Sequence, residues 1–122
     1  MRDLRFRIWK DNKFTYSYEF NEFYEFFERA CHDEDLAEQY TGLLDSEGRE
    51  IYEGDVVRYE PNKLVDRIGQ IKWSDYYNGW SVRDKDCYPA SDFGEYSLAS
   101  PFLSFNYVKI IGNIHENPEL LR

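Results

Sequence analysis

Three clusters in this chain carry side chains that can do chemistry. In Cys31-His32-Asp33-Glu34-Asp35 a thiol, an imidazole and carboxylates crowd together. Their atoms are metal-capable, yet they follow no recognised ligand spacing and would need a specific fold-back to converge. A solvated acidic loop is the simpler reading. Asp84-Lys85-Asp86 lacks the glycine and terminal glutamate of a calcium loop of the EF-hand type. His115 beside Glu116 would be a base only opposite a nucleophile, and no nucleophile is identified. There is no glycine-rich phosphate loop and no nucleophile elbow. Triads do assemble from distant residues, so this reading rests on motifs alone. On it the chain is expected to be non-catalytic, with no metal and no cofactor.

Two sets of residues suit binding instead. Trp73, Tyr76, Tyr77 and Trp80 flank the turn signal Asn78-Gly79. Such rings can stack on nucleobases or on a partner's side chains. No basic groove is visible beside them, so packing in the core and at its rim outweighs nucleic-acid contact. Glu47, Glu50 and Glu53 form the second set, an acidic edge able to face a partner. A basic alternation at the start, Arg5 and Arg7 with Arg2 and Lys10 nearby, would suit phosphate, although a solvated sheet face is the commoner meaning.

The chain has 122 residues, enough for one compact domain over 1–122 and too few for two comfortable ones. Aromatic residues make up 19% of it, so a few large rings can hold a small core. Cys31 and Cys87 form no metal or redox pair by spacing, and fit isolated thiols in a reducing compartment. No stretch approaches the roughly 20 apolar residues that span a bilayer. The opening Met1-Arg2-Asp3-Leu4-Arg5-Phe6 has charge but no apolar signal-peptide core, so a cytoplasmic protein with no membrane contact is expected. The net charge of -9 is uneven, with fourteen acidic against three basic residues over 19–60. That segment disfavours nonspecific nucleic-acid binding. It permits solubility, a basic protein partner or mimicry of a polyanion.

The elements that must position these groups are mainly β. Leu4, Phe6 and Ile8 alternate with Arg5 and Arg7, Lys10-Asp11-Asn12-Lys13 reads as a turn, and Phe14 to Tyr18 alternates again. Residues 4–18 are therefore predicted to be a hairpin. Over 20–31 the period changes: Phe20, Phe23, Tyr24, Phe27, Ala30 and Cys31 form a helical stripe with Phe26 beside it. Asn21 suits its N-cap, and Glu25 with Arg29 an i,i+4 pair. Core packing of this helix outweighs a partner-binding role. A strand from Leu36 to Thr41 is expected to stop at Gly42. Asp45-Ser46-Glu47-Gly48 is a turn, Arg49 to Tyr52 a short return strand, and Glu53-Gly54-Asp55 a second turn leading into Val56. There Asp55 is expected to bond backbone amides and Gly54 to relieve a crowded backbone. Pro61-Asn62-Lys63 reads as a loop, Arg67 to Trp73 as a strand with Gly69 as a bulge, and Trp80 to Arg83 as its hairpin partner. Residues 84–105 look like a long loop with one strand at its end. Tyr107 to Ile111 is a final strand, and Asn117-Pro118-Glu119 opens a terminal helical turn that packs Leu120 and Leu121.

Several of these stretches together resemble one family. Gln39-Tyr40-Thr41-Gly42-Leu43, the Asp45-x-x-Gly48 turn and Glu50-Ile51-Tyr52-Glu53-Gly54-Asp55-Val56-Val57 are similar to the signature of the YopX family. So are Arg5-Phe6-Arg7-Ile8-Trp9 at the start and the tail from Val108 to Leu121. The family comprises small proteins of bacteriophages and prophages. The resemblance implies an SH3-type small β-barrel with additions, no established activity and no catalytic residue to carry over. It points to a phage accessory protein in the host cytoplasm, acting by binding an unknown host or phage protein. Nucleic-acid binding through the basic strand is the alternative, as is an acidic face that mimics DNA to inhibit a host protein. Edge strands and surplus rings leave self-association open.

Overall fold

The computed structural model describes residues 4–62, 65–86, 94–99 and 108–122, and shows a mainly β chain built as two antiparallel sheets. β1 (Phe6–Lys10) and β2 (Lys13–Tyr16) form the expected hairpin. Asp11 and Asn12 both take positive φ, 56° and 62°, the two-residue turn whose twist matches the flanking strands. β3 (Glu38–Leu44) pairs with β1 and with β4 (Glu50–Tyr52), giving the order β2-β1-β3-β4. The second sheet is a meander of β5 (Asp55–Asn62), β6 (Val65–Ser74), β7 (Gly79–Asp84) and β8 (Glu95–Ser97). β9 (Val108–Asn113) returns to pair with β5, so the order is β8-β7-β6-β5-β9. A 3-10 turn over Pro118–Leu121 ends the chain as expected, although Asn117 bonds the Asn113 N–H instead of capping it.

Period-two alternation fixes the cores. Val57 and Tyr59 of β5, Ile71 of β6, Val82 of β7 and Val108 of β9 point the same way and enclose a core with Ile51 and Leu98. On the first sheet Phe6 and Ile8 meet Phe20, Phe26, Phe27 and Cys31 in a second cluster under α1 (Phe23–Arg29). Each fully buried Val, Ile, Leu or Phe contributes about 1.5–3 kcal/mol, so these clusters hold the sheets together.

The helix departs from its predicted stripe. α1 is two turns long, starts after Glu22 instead of Asn21, and buries Phe26 completely while leaving Phe23 and Tyr24 exposed. Phe20 lies before the helix, after a 3-10 turn, so carrying its phase into the helix rotates the inferred face. No ion pair joins Glu25 to Arg29 among the described residues. Three loop and bulge expectations also change. β3 runs through Gly42, whose φ of 85° sits in a register shift between Tyr40 and Leu44, so this glycine bends the strand and does not end it. Gly69 stands in regular register between Val57 and Asp84. A Cβ there would lie 2.7 Å from the Arg83 carbonyl oxygen, so close approach and no bulge accounts for it. β5 continues over Pro61 and Asn62, where its register with β6 shifts. The expected long loop over 84–105 holds β8, and 87–93 and 100–107 fall outside the described residues, as do Lys63, Cys87 and Arg2. No described helix is long and apolar enough to cross a membrane.

Candidate functional site

Alternation in β1 puts Arg7 opposite Phe6 and Ile8, and so between the two sheets, where it is 5% exposed. This overturns the solvated basic face. A guanidinium there must be paired, because an uncompensated buried charge costs several kcal/mol. Nε donates to Glu38 Oε1 at 2.8 Å, and Nη2 to Asp55 Oδ1 at 2.9 Å and to the Glu53 carbonyl at 3.3 Å. The guanidinium carbon lies 3.9 Å from the Phe14 ring centroid and 4.7 Å from that of Tyr52. Asp55 Oδ2 accepts the Tyr52 N–H at 2.8 Å, which is the turn role expected of it. Glu38 Oε2 meets His115 Nε2 at 2.9 Å, and the imidazole stacks on Trp9 at 5.3 Å and 6°. Burial would lower Arg7, but Asp55 and Glu38 outweigh it and hold the guanidinium charged. Burial likewise pushes the Asp55 carboxyl up against the pull of Arg7. Every carboxylate oxygen in this network has a donor, so its chemistry is that of a clamp between β1, β3, β5 and the turn after β9.

Beside the clamp opens a cleft of about 650 Å³, lined by Tyr16, Tyr18, Arg49, Tyr52, Asn113 and Glu116 among others. Tyr16 meets Tyr52 edge-on at 5.6 Å and stacks on Tyr18 at 5.0 Å. The Tyr52 hydroxyl is buried without a hydrogen-bond partner among the described residues. Its pKa is raised, first by burial and then by the nearby Glu50 carboxylate.

The sequence-selected residues separate into two kinds. Glu50 takes both its oxygens to Arg5 Nη1, at 2.6 and 2.7 Å. Glu47 faces Lys109 at 3.2 Å and Arg49 at 3.5 Å. Glu53 is partly buried, and burial raises its carboxyl. These three carboxylates do not converge on one free edge. The aromatic set does gather: Trp73, Tyr76 and Tyr77 are 44%, 70% and 41% exposed around the β6–β7 turn. Trp73 abuts Trp80 edge-on at 5.3 Å, and Tyr76 abuts Tyr77 at 4.9 Å. Trp80 packs inward against the core, and its indole N–H is buried without a partner among the described residues. Lys72, Arg83 and Glu95 border this surface, with Arg83 paired to Glu95 at 3.3 Å. Cys31 is buried and bonds the Asp33 carbonyl, and among the described residues no group of three ligating side chains converges on a metal position.

The sequence alone does not single out Glu38 or Tyr52, while it reads Arg7 as part of a solvated or phosphate-facing strand and His115 as a base without a nucleophile. The available signal was two acids, Glu38 and Asp55, inside apolar strands facing an arginine of equal parity.

A comparison with curated proteins returns no match. Among solved structures, the crystal structure of protein EF1440 from Enterococcus faecalis is similar, with 27% identity and a TM-score of 0.45 over 90% of this chain. The match covers 65% of that chain, so the present sequence spans less than two thirds of its length. A family model described as YopX protein matches residues 3–122, essentially the whole sequence, and the chain belongs to the YopX family.

Proposed function

We propose that this chain is a non-catalytic phage or prophage accessory protein that acts in the host cytoplasm by binding another protein. The observation that carries the reading is the joint exposure of Trp73, Tyr76 and Tyr77 on one tight hairpin. Large rings held by a short turn lose little freedom on docking, and Trp and Tyr dominate the energetics of protein interfaces. The non-catalytic part is supported by the engagement of Glu38 and Asp55 with Arg7, His115 and the Tyr52 N–H, which commits both carboxylates to holding the two sheets together. An SH3-type barrel is the proposed form of the five-stranded sheet, supported by the β5–β8 meander and the return of β9 to β5. The nucleic-acid alternative loses support because Arg5 and Arg7 are bonded within the chain.

The test compares the protein with its Trp73→Ala/Tyr76→Ala variant as baits in lysate of the infected host. The expected result is a protein retained by the parent and lost by the variant at unchanged melting temperature. A variant that retains everything the parent does sinks the hairpin as the binding surface. A mobility shift of DNA or RNA at low salt, by contrast, would favour the nucleic-acid alternative.

A further inference from the structure

The Tyr52 hydroxyl is the best-defined loose end in the cleft. Tyr52 is 3% exposed, yet its hydroxyl has no partner among the described residues. Buried polar groups are nearly always satisfied, and an exception in a cleft wall points to a group that arrives from outside. The ring is held by the Arg7 guanidinium at 4.7 Å, by Tyr16 at 5.6 Å and by Tyr40 at 5.5 Å. Tyr52 itself lines the cleft, together with Glu50, Tyr16 and Tyr18.

Charge defines what fits. Of the ionised groups lining the cleft, Arg7 is paired with Asp55, Glu50 with Arg5 and Arg49 with Asp45. Glu116 is left with a neutral donor, the Asn113 side-chain amide at 3.1 Å. The cleft is thus lined by one uncompensated carboxylate and three tyrosines, one of them with an orphan hydroxyl buried in the wall, on a chain of net charge -9. Electron-rich ring faces attract cations, and a guanidinium is flat, weakly hydrated and rich in N–H donors. The same chain uses this chemistry twice already: Arg5 lies over Tyr40 while paired with Glu50, and Arg7 over Tyr52 while paired with Asp55.

We propose that the cleft is a binding site for a guanidinium, an arginine side chain presented by a partner protein. The guanidinium donates to the Tyr52 hydroxyl oxygen, rests against the tyrosine rings and supplies the cation that Glu116 lacks. The site shares no lining residue with the aromatic hairpin pocket, so it stands or falls independently of the hairpin reading.

The test is an NMR titration of the full chain with acetyl-Gly-Arg-Gly-amide and with the same peptide carrying citrulline. Citrulline keeps the shape and most donors and removes the charge. Shifts are expected at amides of residues 16–18, 48–52 and 110–117 with the arginine peptide, and citrulline should bind about tenfold more weakly, the scale of a hydrogen bond to a charged group. Tyr52→Phe should weaken the arginine peptide by a similar factor while the melting temperature holds or rises, since a hydroxyl without a partner is removed. Glu116→Gln, which keeps the amide contact, should weaken binding and flatten its salt dependence. Equal binding of the two peptides, unchanged affinity in Tyr52→Phe, or no shifts at millimolar peptide would each overturn the proposal. The Trp73→Ala/Tyr76→Ala variant should bind the arginine peptide like the parent, and loss of binding there would place the site on the hairpin instead.

Discussion

Arg7 shows how the context of one residue overrides its type. Its place in an alternating strand was legible, but which face of that strand would be dry was not, because the cover comes from β4 and β5 far along the chain. Removing its charge leaves Glu38 and Asp55 buried without their guanidinium, and Arg7→Met should cost about 3–5 kcal/mol in chemical denaturation. A cost below 1 kcal/mol would show that the clamp is dispensable. Asp84 offers a test by pH. It accepts from Tyr59 at 2.6 Å and from Arg67 at 2.9 Å through both oxygens. Burial alone would raise this carboxyl, but the Arg67 and Tyr59 bonds and the Asp86 N–H outweigh it and hold it at about 2. Its folded pKa lies below the unfolded value, so its contribution is complete above about pH 4 and disappears as pH falls toward 2. That contribution is about 2 kcal/mol for a shift of this size. Denaturation of the parent and Asp84→Asn between pH 6 and pH 2 should show a stability gap that closes only below about pH 4. A gap that stays constant across the range would contradict the linkage.

At the scale of elements, turns were the most legible features, because the residues that make them act locally. Asp45 is the clearest case. It accepts the N–H groups of Glu47 at 2.9 Å and Arg49 at 2.8 Å, as an aspartate opening a turn should. The part not legible is its bond from the Ile110 N–H at 3.0 Å, which joins the turn to the edge of β9. Ser46 donates to the Val108 carbonyl at 2.7 Å and Arg49 to the Ile110 carbonyl at 2.7 Å, so the turn covers a strand edge open to wrong pairing. Asp45→Ala should therefore cost about 3 kcal/mol, more than a lone turn aspartate, and should speed hydrogen exchange at Ile110 as well as at Glu47 and Arg49. Unchanged exchange at Ile110 would confine the residue to its own turn. The helix was less legible than the turns for the opposite reason. Two turns carry too little periodic signal to fix a face, and contact with Phe6 and Ile8 decides it in favour of Phe26.

Across the whole molecule, the acidic excess of residues 19–60 divides into two populations that composition alone cannot separate. Glu38, Asp45, Glu47, Glu50 and Asp55 each have an arginine or lysine of the same chain within ion-pair distance. Glu22, Glu25 and Glu28 have no such cation among the described residues. The uncompensated field thus belongs to the α1 side, and the carboxylates of 47–53, chosen from sequence as a partner-facing edge, are largely neutralised at home. Removing two charges from either population changes net charge equally, so general solubility effects cancel in the comparison. Glu47→Gln/Glu50→Gln should lose about 1 kcal/mol, the scale of two partly exposed ion pairs, and the loss should shrink in high salt. Glu25→Gln/Glu28→Gln should stay within about 0.5 kcal/mol of the parent, because relief of self-repulsion offsets the loss of Glu25 from the positive end of the helix. Thermal melts of both variants at low and high salt decide the matter. Equal losses would mean that the distinction between paired and free carboxylates has no energetic content. A reversed order would place the compensated charges on the α1 side and remove the electrostatic case for expecting cationic groups on any partner of this protein.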